Sequence, residues 1–327
     1  MRDFLDWSIS LHGKVDEVNE RLLLAIHTDQ EELYRMSKYT IEAGGKRFRP
    51  LLTILAYEIS CEEPYSNILD LAAGYELIHT ASLIHDDIID NAATRRGRPT
   101  LNNVDGVANA IVVGDYLFAK AYELGSRYGT VVSKIMADAS SRLAEGQTLE
   151  AFSLGNLDLD EETYLEIISN KTARFFEACA MGATVAAGAG TAISNALSNF
   201  AYNLGMAFQV TDDILDIVGD SRKLGKPTFT DIRHSAITLP LIHTLRKTDK
   251  KGREELKRKL MEGDSEEVDM NLKNLMVETG AIDYSFSVAK RYSQLALESL
   301  KDTGKSPDLN LLMELAMIVI ERIEELS

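Results

Sequence analysis

The chain has 327 residues, with 35 Lys+Arg against 51 Asp+Glu, a formal net charge of −16. At 45% hydrophobic and 26% charged it has enough apolar mass for a core, which excludes a disordered polymer. The acidic balance argues against nucleic acid and anionic membrane surfaces as partners, since both select basic faces. It leaves room for a small anionic ligand wherever cations gather locally.

In chain order, the opening stretch Met1-Arg2-Asp3-Phe4-Leu5-Asp6-Trp7 lacks the apolar run of a signal peptide. Apolar spacing of three and four predicts helices over 15–27, 68–89, 108–127, 131–154, 196–218 and 309–326. Prolines fall at 50, 64, 99, 227, 240 and 307, so 127 consecutive residues lack one, as helices require. Asp160-Glu161-Glu162 reads as an N-cap followed by an acidic first turn. From Ala178 to Thr211 no charged residue occurs for 34 positions, but Gly188-Ala189-Gly190 and three asparagines interrupt the run. It is expected to form two buried helices joined by a glycine turn, not a membrane span. Residues 245–273, dense in charge, are expected to form a solvated helix pair. Cys61 and Cys179 cannot build a disulfide framework, and no Cys/His metal pattern occurs, so a reducing, cytoplasmic setting is expected. No linker, low-complexity tract or sustained period-two alternation appears. The prediction is a single all-α domain over 1–327, a helical bundle.

Two segments carry the chemistry. Ile84-His85-Asp86-Asp87-Ile88-Ile89-Asp90 and Gln209-Val210-Thr211-Asp212-Asp213-Ile214-Leu215-Asp216 both contain D-D-x-x-D. With 24 Asp in the chain, chance supplies about 0.13 such patterns, and two in about one chain in a hundred. An acidic run is ordinarily a solvated face. Here both lie inside apolar helical patterns, and like charges at i and i+4 oppose helix formation. Positions i and i+4 share a helix face, so Asp86 with Asp90, and Asp212 with Asp216, project together. Two such faces opposed across a cavity would suit Mg²⁺, a hard ion held through carboxylates, waters and substrate phosphates. A Ca²⁺ loop pattern is absent.

The cations cluster as well. Gly44-Gly45-Lys46-Arg47-Phe48-Arg49-Pro50 and Thr94-Arg95-Arg96-Gly97-Arg98-Pro99 each pack three positive charges closely. Glycine lets backbone approach an anion, Arg grips phosphate bidentately, and Lys supplies a point charge. Lys46 and Arg49 beside Arg95 and Arg96 make a diphosphate subsite, although exposed solubilising loops are the plainer reading. No P-loop is present. Glu76, His79, Asp86 and Asp90 fall on one helical stripe, which places His79 as a ligand contact rather than a core histidine.

These motifs, in this order, resemble the trans-isoprenyl diphosphate synthases (polyprenyl synthetases). Glu76-Leu77-Ile78-His79, Gly114-Asp115-Tyr116-Leu117, Lys171-Thr172, Phe208-Gln209, Gly225-Lys226-Pro227 and Val319-Ile320-Glu321-Arg322 extend the resemblance over most of the chain. It implies an all-α helical bundle around a deep central cavity, assembled as a homodimer, that joins isopentenyl diphosphate head-to-tail to an allylic diphosphate. It implies Mg²⁺, about three ions per active site, held by Asp86, Asp87 and Asp90 and by Asp212, Asp213 and Asp216. By the same resemblance Arg95, Lys171, Thr172, Gln209 and Lys226 contact the allylic diphosphate, and Lys46, Arg49, His79 and Arg96 bind isopentenyl diphosphate. Lys171, with the six aspartates, belongs to the expected catalytic set. Phe208 and Gln209 would face the allylic cation.

One stretch departs from the family pattern. Where relatives carry two glycines and a lysine, this chain has Phe229, Ser235 and Ala236, so one cationic contact is missing and weaker allylic affinity is expected. Product length should follow the helix ahead of Asp86. Ala81 and Ser82 are small, which opens the first floor, while Ile78 and Tyr75 lie deeper and Tyr75 is the candidate floor. That favours C20 or longer over C15. Rival readings are a class I terpene cyclase or squalene-type synthase, a non-catalytic subunit of a heteromeric synthase, and a helical scaffold. The second basic subsite argues against the first, and the two intact acidic triples argue against the others.

Overall fold

Residues 11–219, 228–261 and 266–326 are described by a computed structural model; Met1–Trp7 and Gly225-Lys226-Pro227 lie outside them. The elements run α1 (His12–Ala25), α2 (Glu31–Ile41), α3 (Phe48–Ser60), α4 (Leu69–Ile89), β1 (Thr94–Arg95), β2 (Arg98–Pro99), α5 (Leu101–Asp105), α6 (Val107–Ser126), α7 (Gly129–Ser153) and α8 (Glu161–Ile168). A π-type turn, Ser169–Ala173, leads into α9 (Arg174–Ala186) and α10 (Thr191–Val218). Then follow α11 (Thr230–Arg233), α12 (Leu239–Lys247), α13 (Lys250–Met261), α14 (Glu266–Glu278), α15 (Ala281–Ser299) and α16 (Pro307–Leu326).

Each helix expected from periodicity is present, with ends displaced by a few residues, because frayed turns carry little apolar signal. The uncharged run is α9 and the first turns of α10, joined through Gly188 at φ +66°. The charged stretch is α13 and α14. Asp160 caps α8, accepting the Thr163 N–H at 2.8 Å. Among the described residues, no helix is long and apolar enough to cross a membrane. The β1–β2 hairpin was not expected. Its turn, Arg96-Gly97, has φ +52° and +74°, a primed turn built without the usual Asn-Gly signature.

The chain forms two compact units. The first comprises Met1–Ser141, Phe175–Ala201 and Ser299–Leu315. Its centre is α4, packed on α6, α3 and α1, with Leu51, Ile54, Leu55, Leu77, Ile78, Val113 and Leu117 fully buried. The second comprises Arg142–Arg174, Tyr202–Glu298 and Ala316–Ser327. Its core joins Tyr164, Val210, Ile214, Leu239, Ile242, Met276, Ala289 and Ile323. No linker separates the two in sequence: α7, α10 and α16 each contribute residues to both.

A buried ion pair organises the first unit. Arg47, at φ +50° immediately before α3, reaches Glu76 on α4 at 2.9 Å, with both side chains about 5% exposed or less. It also donates to Asn19 and to the Ile41 carbonyl at 2.8 Å each. Glu76 is therefore committed to structure. Removing one partner of such a pair strands a charge in low dielectric, at roughly 3–5 kcal/mol. Arg47→Ala should lower the denaturant midpoint correspondingly, and Arg47→Met with Glu76→Leu should lose less than Arg47→Ala alone. A midpoint unchanged in Arg47→Ala would show that the pair does not anchor the loop.

Candidate active site

In the first unit the acidic triple occupies the last turn of α4. Asp90 ends the helix, its N–H on the Asp86 carbonyl at 2.8 Å. A helix C-terminus carries partial negative charge, so three carboxylates there are opposed by the macrodipole and by one another, and a cation is favoured. One cation comes from the hairpin: Arg95 Nε lies 2.7 Å from Asp87 Oδ1. Burial raises the Asp87 carboxyl, and Arg95 pulls it back. Asp86 is half-buried and Asp90 exposed.

The two basic loops meet. Arg96 donates to the Gly44 carbonyl and Arg98 to that of Glu42 at 3.2 Å. Gly45 has φ +143°, where a side chain is strained, and a Cβ there would fall 2.8 Å from Arg96 Nη1, so the guanidinium would have to shift. Arg49 lies against the faces of Phe175 and Phe176, at 5.4 and 5.0 Å, which fixes its guanidinium while its buried Nε has no hydrogen-bond partner. Lys46 is exposed. Loss of water around the His79 ring, then the charges of Arg49, Arg96, Arg95 and Arg47, push its pKa well below the ordinary value. That direction favours the uncharged imidazole. Asp87, Arg95 and Arg96 line one cavity with Tyr39, Thr80 and Ile84.

The stripe expected to fix chain length is buried in α4. Tyr75, Ile78 and Ala81 are wholly inaccessible and Ser82 nearly so. The Tyr75 hydroxyl donates to the Ala178 carbonyl at 2.6 Å, and its ring meets Phe175 edge-on.

In the second unit the acidic triple occupies the last turns of α10, again at a helix C-terminus. Its members differ. Asp213 accepts from the Tyr164 hydroxyl at 2.6 Å and from Gln209 Nε2 at 3.0 Å. Burial pushes its carboxyl up to about 7 against those two hydrogen bonds, with Asp212 and Asp216 adding to the rise. Asp216 accepts from the Thr230 hydroxyl and from the backbone N–H of Thr230 and Asp231, which closes the start of α11. Asp212 is the half-exposed member and lies 3.3 Å from Arg322 Nη2.

Lys171 and Thr172 sit on the π-type turn, an irregularity that often re-aims side chains at functional sites. Gly146 makes room for it, since a Cβ there would lie 2.9 Å from the Lys171 N. Thr172 donates to Gln209 Oε1 at 2.8 Å, so Thr172, Gln209, Asp213 and Tyr164 form one chain of hydrogen bonds. Lys171 pairs with Glu150. These residues line a cavity of about 100 Å³ with Asp231, Ala236 and Thr238. Lys226 lies outside the described residues. The Phe208 ring, expected to face a carbocation, carries the Arg322 guanidinium at 5.6 Å.

Sequence reasoning missed Tyr164, Glu150 and the role of Arg322. The first two lie 49 and 21 residues from their partners, beyond any helical spacing.

The donor set is that of a hard cation such as Mg²⁺. Six hard carboxylates sit at two helix C-termini, and Asp86, Asp90 and Asp212 keep accessible oxygens. That fits an ion held through a few carboxylates and completed by water and phosphate. It does not fit an all-protein cage: no group of three or more His, Cys, Asp and Glu converges on one metal position among the described residues.

The polyprenyl synthetase family matches residues 30–276. An octaprenyl diphosphate synthase from Haemophilus influenzae is 32% identical over 309 residues, covering 94% of each chain. A geranylgeranyl diphosphate synthase from Saccharolobus solfataricus is 32% identical over 309 residues, covering 91% of this chain and 92% of that enzyme. The crystal structure of a polyprenyl synthase from Caulobacter crescentus, complexed with calcium and isoprenyl diphosphate, superposes with a TM-score of 0.90 at 33% identity over 97% of each chain. The chain belongs to the polyprenyl synthetase family: it has the all-α isoprenoid synthase fold and is a trans-prenyl diphosphate synthase.

Proposed function

We propose that this enzyme, acting as one polyprenyl synthetase domain over 1–327, condenses isopentenyl diphosphate with allylic diphosphates to all-trans products of C20 or longer. One observation carries the site assignment: two acidic triples at helix C-termini, the first held against Arg95 on a hairpin that Arg96 ties to the Gly44 carbonyl. That is the charge pattern an anion and its counter-ions require.

Asp86, Asp87, Asp90, Asp212, Asp213 and Asp216 hold Mg²⁺, which when bound neutralises charge developing on the departing diphosphate. Arg95, Lys171, Thr172, Gln209 and Lys226 bind the allylic diphosphate. The Lys171–Glu150 pair keeps that lysine oriented in the substrate-free chain and must open for it to bind. Lys46, Arg49, Arg96 and the neutral His79 bind isopentenyl diphosphate; the imidazole donates a hydrogen bond through its N–H. Arg49, packed on two phenyl rings with an unpaired Nε–H, has a donor to spare for a phosphate oxygen. The growing prenyl tail follows α4 from Ser82 and Ala81 toward Ile78 and Tyr75.

Incubation with Mg²⁺, labelled isopentenyl diphosphate and C5, C10 or C15 allylic primers should give metal-dependent incorporation into C20 or longer products; absence of incorporation would overturn the reading. Ala236 lines the same cavity as Lys171, Thr172 and Gln209, where a further cation has room. Ala236→Lys should therefore lower the allylic KM several-fold with little change for isopentenyl diphosphate, since a charge-assisted contact is worth about 1.5–3 kcal/mol before desolvation; an unchanged allylic KM refutes the assignment. Tyr75→Ala should lengthen the product ladder, at a stability cost of about 3–5 kcal/mol, while Tyr75→Phe should keep the parent ladder. Identical ladders from all three proteins would remove Tyr75 as the floor.

A further inference from the structure

The second acidic triple has a cation against it that arrives from the far end of the chain. Arg322 stands near the end of α16, beside Ile323, which is anchored in the core of the second unit. Its Nη2 is 3.3 Å from Asp212 Oδ1, with the arginine side chain 13% exposed. Its guanidinium lies 5.6 Å over the ring of Phe208, one turn before Asp212 on α10. Its buried Nε has no hydrogen-bond partner. A sheltered donor left unpaired is costly, so this seat is not selected by the arginine's own hydrogen bonding. The compensation is electrostatic, from the Asp212 carboxylate and the ring face.

The other two carboxylates of the triple are satisfied by neutral donors, Asp213 by Tyr164 and Gln209, and Asp216 by Thr230 and the Asp231 backbone. Asp212 is met by a charge. A divalent ion approaching Asp212 meets that charge as a rival for the same oxygens.

We propose that Arg322 is a positioning residue that acts as a cation place-holder: it occupies Asp212 in the metal-free chain and yields it to the divalent ion, so the carboxylate that takes metal also docks the C-terminal helix. This rests on the reading of Asp212 as a Mg²⁺ ligand. Release of Arg322 frees its guanidinium, Nε–H included, for an anionic oxygen brought in with the metal. Coupling of this kind is reciprocal: whatever Mg²⁺ loses in displacing Arg322, the helix loses in docking once Mg²⁺ is bound.

The test uses the full chain with MgCl₂ alone, read by titration calorimetry and by thermal midpoint in EDTA and in saturating Mg²⁺. Arg322→Met should bind Mg²⁺ about twofold to fivefold more tightly, the range expected when a partly exposed ion pair is removed from competition. Its thermal midpoint should fall below the parent in EDTA and recover in Mg²⁺, and Arg322→Lys should stay near the parent in both. Equal thermal deficits with and without Mg²⁺, at unchanged affinity, would mean that Arg322 only packs. Asp212→Asn separates the two levels. If it binds Mg²⁺ like the parent, Asp212 is not a ligand and the underlying assignment fails. If it loses Mg²⁺ while Arg322→Met binds as the parent does, the place-holder alone fails. Should Arg322→Met not fold, hydrogen exchange on the parent decides: Mg²⁺ should speed exchange in the last turns of α16, and unchanged protection overturns the proposal.

Discussion

Negative charge concentrated at helix C-termini is the constraint on which the rest of this structure depends. Asp86, Asp87 and Asp90 close α4, and Asp212, Asp213 and Asp216 close α10. Each triple is opposed by its own helix dipole and by mutual repulsion. The surrounding structure compensates them with different devices: an arginine from a hairpin for Asp87, a tyrosine and a glutamine for Asp213, the start of α11 for Asp216, and an arginine from the C-terminal helix for Asp212. None of these is a full neutralisation of its triple. The chain's charge of −16 does not by itself exclude an anionic substrate, because cations gather locally around Arg49, Arg95 and Arg96.

The basic loops show how a cluster of like charges divides its labour. Of the three cations in Lys46-Arg47-Phe48-Arg49, Arg47 is spent inside the fold on Glu76, which fixes the left-handed turn into α3. Arg49 is steadied by two phenyl rings, and its Nε has no hydrogen-bond partner. Arg96 holds a left-handed conformation, φ +52°, kept in place by the Gly44 carbonyl. A diphosphate pocket needs cations that are both fixed and unneutralised, and aromatic faces and backbone carbonyls satisfy both demands.

The departures from family pattern after residue 228 have a structural reading. Phe229 and Ser235 stand where the family resemblance leads one to expect glycine, and both adopt positive φ, +59° and +62°. A non-glycine residue there costs about 1–2 kcal/mol, so the backbone keeps a glycine-like path at some strain. Phe229 offsets part of it by burying its ring in the core of the second unit, and its N–H bonds the Asp216 carbonyl at 2.7 Å. The turn thus remains committed to the second acidic triple, while the missing lysine at 236 leaves open volume beside Lys171.

Much of this was legible in the amino-acid order, and the reason is locality. Helix positions, the Asp160 cap, the turn at Gly188 and both acidic triples depend on residues within one or two turns of each other, so spacing alone reveals them. The hairpin at Arg96-Gly97 escaped because its turn lacks the usual signature and its stability comes from contacts with the 39–44 segment. The sequence by itself determined which side chains carry charge, which helices bear them and on which face. Only the tertiary structure decided how each charge is answered: that Arg47 and Glu76 cancel in the core, that Tyr164 holds Asp213, and that Arg322 comes to Asp212 from over a hundred residues away. Those pairings bring together residues that no helical period connects, and they exist because burial makes an unanswered charge too costly to leave.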